Sequence, residues 1–143
     1  MRVEPYRHYH LELVRAQGVQ RAQLTEVSLV PDAYARFVEP AGPCYTAFVG
    51  DRVILCGGIV VSMGYMGIAW AVIAEDAGRH MIRLHRCVER FLSMQNLRRI
   101  ETTVVKGFQP GCRWAESLGF KFEGEMPGFG LDGQTHLRYG RVR

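Results

Sequence analysis

Residues Gly67 to Gln95 read GIAWAVIAEDAGRHMIRLHRCVERFLSMQ: an apolar strand, a short polar break and a long helix. The run Ile68 to Ala74 is continuous and apolar, the pattern of a strand buried on both faces. A helix entrance follows. Asp76 stands where it can cap the helix, and Gly78 lets another group come close to the backbone. The first-turn amides point back over the strand end, where an anion is favoured. Along Gly78 to Gln95, Met81, Leu84, Val88, Phe91 and Leu92 fall on one stripe at about 100° per residue. Arg79, Arg83, Arg86 and Arg90 fall opposite it as a basic ridge, which reads either as a solvated face or as a nucleic-acid stripe.

Working outward, Ser62 and the residues before it change the pattern from helical to extended. Cys44 to Val49, a tight Gly50-Asp51 turn, Val53 to Ser62 and a Gly/Met loop at Met63 to Gly67 predict an antiparallel meander ending in the quoted strand. Gly57 and Gly58 interrupt its middle strand, through a bulge, a close backbone neighbour or simple packing. Met63, Tyr65 and Met66 read equally as pocket lining or as a core cap. Further upstream, Val3 opens a brief extended piece. Tyr6 to Ala16 reads as an amphipathic helix stopped by Gly18, and Leu24 to Glu39 as a second helical region with Pro31 at a helix start. His8 and His10 are two apart and cannot share a helix face, which argues against a metal pair. Downstream, Arg99 to Val105 is a strand. Gln109 and Pro110 lead into a helix through Trp114 and Leu118 that stops at Gly119, and Phe120 to Met126 and His136 to Val142 are extended.

With 143 residues, the chain predicts one domain, residues 1–143. No apolar run approaches the roughly 20 residues of a spanning helix, and the opening MRVEPYRHYHLELV is too polar for a signal peptide, so a cytoplasmic protein without a membrane partner is expected. Cys44, Cys56, Cys87 and Cys112 lack metal-ligand spacing, which predicts free thiols and no metal site. The net charge of +4 comes from 16 Arg and 2 Lys against 14 acids, and admits nucleic acid, an acidic surface or a phosphorylated small molecule as partner.

The element order βααβββαβαββ, the buried fourth strand with its phosphate-facing helix entrance, and the segment Arg113-Trp114-Ala115-Glu116-Ser117-Leu118-Gly119-Phe120 together resemble the GCN5-related N-acetyltransferase superfamily. The resemblance covers essentially the whole chain. It implies an α+β (mixed α/β) fold, with a central, mostly antiparallel twisted sheet, helices on both faces, and the fourth and fifth strands splayed. It also implies acetyl-CoA as acyl donor, with main-chain groups of Val72, Ile73 and Ala74 pairing with the pantetheine arm. The diphosphate would lie on Ala77 to Arg83, which makes Gly78, Arg79, His80, Met81 and Arg83 cofactor-binding candidates. The implied reaction is direct attack of an amine on the thioester, so Cys112 need not act as a nucleophile.

Three positions depart from the family. Its phosphate loop usually reads Gln/Arg-x-x-Gly-x-Gly/Ala, whereas Asp76-Ala77-Gly78-Arg79-His80-Met81 keeps one glycine. Asp76, as an N-cap, would satisfy amides the phosphates need and add negative charge beside them. Ala115 stands where many members carry the Tyr that protonates the thiolate, and Phe108 or Gln109 where many carry Asn. The general base is open among Glu75, Glu101 and His136, each also readable as structural. A second similarity, to acetyltransferase-like proteins encoded by tailed phages including an internal virion branch, rests on the Tyr6 to Gln17 helix, Gly57-Gly58, Trp70 and Arg113-Trp114 with Leu118-Gly119-Phe120. Two functions follow as expectations: an acetyl-CoA-dependent N-acyltransferase acting on a small-molecule or protein amine, with a homodimer allowed, or a catalytically silent virion, protein-binding or nucleic-acid-binding component.

Overall fold

The structure, a computed structural model, describes residues 1–14 and 31–143. The expected helix beyond residue 14, its Gly18 stop and the 24–30 part of the second helical region lie outside the described residues. The elements run β1 (Arg2–Pro5), α1 (His10–Leu13), α2 (Pro31–Val38), β2 (Cys44–Val49), β3 (Arg52–Ser62), β4 (Met66–Ile73), a 3-10 turn (Ala77–His80), α3 (Met81–Ser93), β5 (Arg99–Val105), α4 (Gln109–Ser117), β6 (Lys121–Met126) and β7 (His136–Val142). One seven-stranded sheet has the order β1-β2-β3-β4-β5-β7-β6. It is mostly antiparallel, with β4 and β5 parallel. The mixed α+β class expected from the sequence is therefore the one observed. The chain divides into two compact units, Met1–Val60 with Ala69–Leu84, and Val61–Ile68 with His85–Arg143.

In the first unit, β1 pairs with β2 from Arg2↔Phe48 to Pro5↔Tyr45, and β2 pairs with β3 across the Gly50 turn, where φ is +59°. Tyr6 does not start a helix. Its amide donates to the Cys44 carbonyl at 3.1 Å, prolonging the β1–β2 ladder. Its ring is buried, and its hydroxyl donates to the Ala35 carbonyl at 3.2 Å. The helix shrinks to His10–Leu13 because the backbone before it is already committed to the sheet. Tyr6 packs with Leu11, Ala35, Val38, Phe48 and Val72 in one core, with Trp70 edge-on to it at 5.3 Å between ring centroids. Gly58 records a close backbone approach. A Cβ there would fall 2.4 Å from the Cys44 Cβ and 2.5 Å from the Pro43 carbonyl oxygen, whose bond to the Ile59 amide is 3.0 Å.

In the second unit, β4 pairs with β5 at Met66↔Arg99, Gly67↔Ile100 and Ile68↔Glu101, the first three residues of each strand. β5 pairs with β7 along its whole length, and β7 with β6 through a bulge between Phe122 and Gly124. The helix α4 ends in a Schellman cap. Gly119 takes φ +86°, its amide reaches the Glu116 carbonyl at 3.0 Å, and the Phe120 amide reaches the Ala115 carbonyl at 3.1 Å. The Leu118-Gly119-Phe120 motif thus has a backbone cause. Burial on both faces holds for only the end of β4. Val72, Ile73 and Ala74 are buried, while Ile68 is 44% exposed. A mostly antiparallel sheet requires only one covered face, so the apolar run overstated the burial.

Candidate cofactor site

The candidate site is assembled from the end of β4, the 3-10 turn and the start of α3, all within the first unit. Val72, Ile73 and Ala74 sit at the strand end. The Ala74 amide donates to the Ile54 carbonyl of β3 at 3.0 Å, and its own carbonyl accepts the Ala77 amide at 3.1 Å. Those two bonds, with Ala77 fully buried, fix where the chain leaves the sheet. The helix expected from Gly78 starts as a tight turn over Ala77–His80 and becomes α-helical at Met81.

Asp76 does not cap it. The residue has φ −100° and ψ 13°, with no side-chain bond to the helix, and its carboxylate pairs with Arg52 Nη1 at the start of β3. A cation opposite drew the carboxylate away from the amides. Both partners are about half exposed or more, so the pair is worth ~0–1 kcal/mol in stability. Its local consequence is larger, because the negative charge expected to compete with a phosphate already has a counter-charge.

Among the described residues, no heavy atom lies within 4 Å of where a Gly78 Cβ would be, and the Gly78 φ is not positive. Neither the described packing nor the backbone conformation requires glycine there, so no described side chain or backbone covers the position. Arg79 and Arg83 are exposed, His80 and Met81 partly so. Among the described residues neither arginine has an acidic partner, and no acid occurs in the turn's first residues or the first turn of α3. Cations at the positive end of a helix are disfavoured by a few tenths to about 1 kcal/mol each, a sign that reverses when an anion binds between them. An acyl-CoA diphosphate fits this donor set. The sequence-predicted residues Val72, Ile73, Ala74, Gly78, Arg79, His80, Met81 and Arg83 are close neighbours along the chain, and all lie in the first unit.

The base candidates fare differently. Glu75 is exposed. Glu101 accepts from Arg99 Nε at 2.8 Å, and Arg99 also bonds Glu123, so Glu101 belongs to a three-member ion bridge. Glu123 is held below the usual carboxylate range, first by its bond from Arg99. His136 is 8% exposed, and burial pushes its imidazole below the usual range, opposed by Asp132. Its Nδ1 has no hydrogen-bond partner among the described residues, and the Phe129 ring lies 5.1 Å away between centroids. Ala115 and Cys112 are buried on α4. The sequence reading missed Tyr139, whose phenol faces Cys112 and Glu116 on either side of Ala115. Burial, then those two groups, pushes it up to about 12. Period-2 reading of β7, with Leu137, Tyr139 and Arg141 on one face, carried the signal. Met63 and Tyr65 form an exposed loop, Tyr65 stacked under Arg98 at 4.6 Å. His8 bonds Glu39 and His10 bonds Thr46, and among the described residues no three His, Cys, Asp or Glu side chains gather to hold a metal. No described helix is long and apolar enough to cross a membrane.

No family model matches the chain, and no curated protein matches it. Solved structures do. The structure of smu.2055 from Streptococcus mutans UA159 is similar over 99% of each chain, with TM-score 0.73 and 18% identity. An aminoglycoside 6'-acetyltransferase type Ii is similar over 99% of this chain and 97% of its own, with TM-score 0.72 and 14% identity. A variant of the spermidine N-acetyltransferase from Vibrio cholerae is similar over 99% and 95%, with TM-score 0.68 and 11% identity. What these share with the chain is the fold of the GCN5-related N-acetyltransferases.

Proposed function

We propose that residues 1–143 form a single acetyltransferase-like domain that transfers an acetyl group from acetyl-CoA to an amine. The observation that carries this reading is the entrance of α3. Gly78 is bare where no described neighbour needs it to be, and Arg79 and Arg83 crowd a positive helix end with no acidic partner among the described residues. In this reading main-chain groups of Val72, Ile73 and Ala74 hold the pantetheine arm, while Gly78, Arg79, His80, Met81 and Arg83 hold the diphosphate. Acetyl-CoA supplies a thioester carbonyl that an amine attacks directly. Asp76 is kept from the phosphates by Arg52, and the burial of Cys112 withholds that thiol from an acyl-enzyme role. The amine class is supported by the acceptors that the similar structures' names print, aminoglycoside and spermidine.

Thermal unfolding with acetyl-CoA tests the reading, since a ligand that prefers the native state at 100 times its Kd adds about 2.7 kcal/mol. A saturable rise in Tm is expected, and thiol release with an amine panel then identifies the acceptor. No shift at millimolar acetyl-CoA would reject it. A second reading, a silent nucleic-acid-binding component of a phage particle, has one observation in its favour: Arg79, Arg83, Arg86 and Arg90 are all exposed and none has an acidic partner among the described residues. It requires nucleic-acid binding that falls steeply with salt and is lost when Arg83, Arg86 and Arg90 are reversed in charge.

A further inference from the structure

A cavity of about 280 Å³ lies in the second unit, and none of its lining residues belongs to the proposed cofactor site. Its apolar wall is Leu92, Leu97 and Ile100, all buried. Its polar side is Arg141 and Arg143. Two apart on the line of β7, they leave the strand on one face. Both reach the C-terminal end of α3. Arg141 Nη2 donates to Ser93 Oγ at 3.3 Å, and Arg143 Nη1 donates to Asn96 Oδ1 at 3.0 Å and to the Gln95 carbonyl at 3.3 Å. A Cβ at Gly119 would come within 3.3 Å of Arg141 Nε, so the bare glycine lets the guanidinium lie against the chain.

All of these partners are neutral. A guanidinium presents five N–H donors in a planar fork matched to a carboxylate, and each of these uses one nitrogen on the protein. Arg99, on the neighbouring strand β5, bonds two carboxylates instead. The helix C-terminus accounts for Arg143, because last-turn carbonyls attract cations. It does not account for Arg141, whose partner is a hydroxyl and which lines the cavity. Among the described residues neither has an acidic partner.

We infer that this cavity binds a small organic carboxylate, its head taken by Arg141 with Arg143 and its short alkyl tail by Leu92, Leu97 and Ile100. The volume falls just below the ~300–1,000 Å³ of ordinary ligand pockets, which suits an acid of a few carbons and is too small for a nucleotide. The assignment is independent of the proposed acyl transfer. Calorimetric titration of the full chain at fixed ionic strength tests it, with valerate as probe, valeramide as its neutral isostere and inorganic phosphate as an anion without a tail. Valerate should saturate with a Kd on the order of 1 mM, and the other two should bind at least about tenfold more weakly. Ser93→Glu, at an exposed position beside Arg141, supplies an internal carboxylate and should abolish valerate binding while the protein stays folded. Arg141→Gln should also abolish it, and Arg141→Lys should keep part of it. Valeramide or phosphate binding as tightly as valerate, wild-type affinity in Ser93→Glu, or no saturation by about 50 mM would each overturn the assignment.

Discussion

The two helix ends that carry the chain's most distinctive residues differ in what fixes them. At the end of α4, Gly119 is required by its own backbone: φ is +86°, and two capping bonds depend on that turn. At the start of α3, Gly78 meets no described residue at its missing Cβ and has no positive φ. One glycine serves the fold. The other has no described packing or backbone reason, and the proposed site gives it one. The contrast separates a glycine that reports structure from one that the proposed function assigns to binding, although both stand beside a helix terminus.

Substitution breaks or sharpens this contrast directly. Gly119→Val forces a β-branched residue into the left-handed region and towards Arg141 Nε, and should destabilise by at least roughly 1–2 kcal/mol, read as a lower denaturation midpoint. Acetyl-CoA affinity should survive the change. Gly78→Ala should do the reverse. Its backbone accepts alanine, so stability should hold or rise by about 0.4–1 kcal/mol, while titration shows weaker acetyl-CoA binding because the methyl occupies the space a phosphate would approach. If Gly78→Ala lost stability and kept affinity, the entrance would be another structural turn and the proposed site would fail.

How much of this was legible in the sequence follows the same division. The strands Cys44–Val49, Arg99–Val105 and His136–Val142 match the residues expected from alternation and turn signals, because a strand bounded by glycines is a local statement. The α4 cap was legible for that reason. Tyr6 was not. Its place in the sheet is decided by a carbonyl at Cys44, 38 positions away, and helical spacing of Tyr9 and Leu13 carries no trace of that partner. Asp76 was misread for the same cause, since a good N-cap residue next to a helix looks like a cap until Arg52 is found opposite it. The proposed cofactor residues were placed by the family resemblance, and the property on which that proposal rests, unbalanced charge around open backbone, depends on which described side chains are absent nearby.

Arg52→Ala gives a smaller and more specific test. Removing an exposed ion pair should change stability by less than about 1 kcal/mol. It should nonetheless weaken acetyl-CoA binding, most at low salt, because the Asp76 carboxylate is left without its counter-charge near the diphosphate. Asp76→Asn in the same background should restore the affinity. Binding indifferent to Arg52→Ala would show that the phosphates lie elsewhere.

The gentlest test uses pH, and each unit carries its own probe. His10 and His136 are both buried, and burial, the leading cause for each, holds both imidazoles below the usual range. A histidine with a lowered folded pKa binds fewer protons folded than unfolded, so its contribution is complete above the unfolded value of about 6.5 and is lost as pH falls from there towards the folded value. Tm should therefore decline as pH drops below about 6.5 and stay level above it on account of these groups. The two need not respond alike. His10 Nδ1 accepts the Arg7 amide at 3.1 Å and meets Thr46 Oγ1 at 2.9 Å, so a proton on Nδ1 would break a made bond, with Glu4 and Glu39 as opposing charges. His136 Nδ1 has no partner among the described residues, so a proton there would be a buried donor left unpaired among them, with Asp132 as the opposing charge. His136→Gln, neutral at every pH, should flatten part of the acid-side decline, and His10→Gln should flatten the rest at a greater cost in stability, since it also disturbs the Thr46 contact. A decline that neither substitution altered would mean that other groups set the acid stability and that these two imidazoles are protonated without penalty.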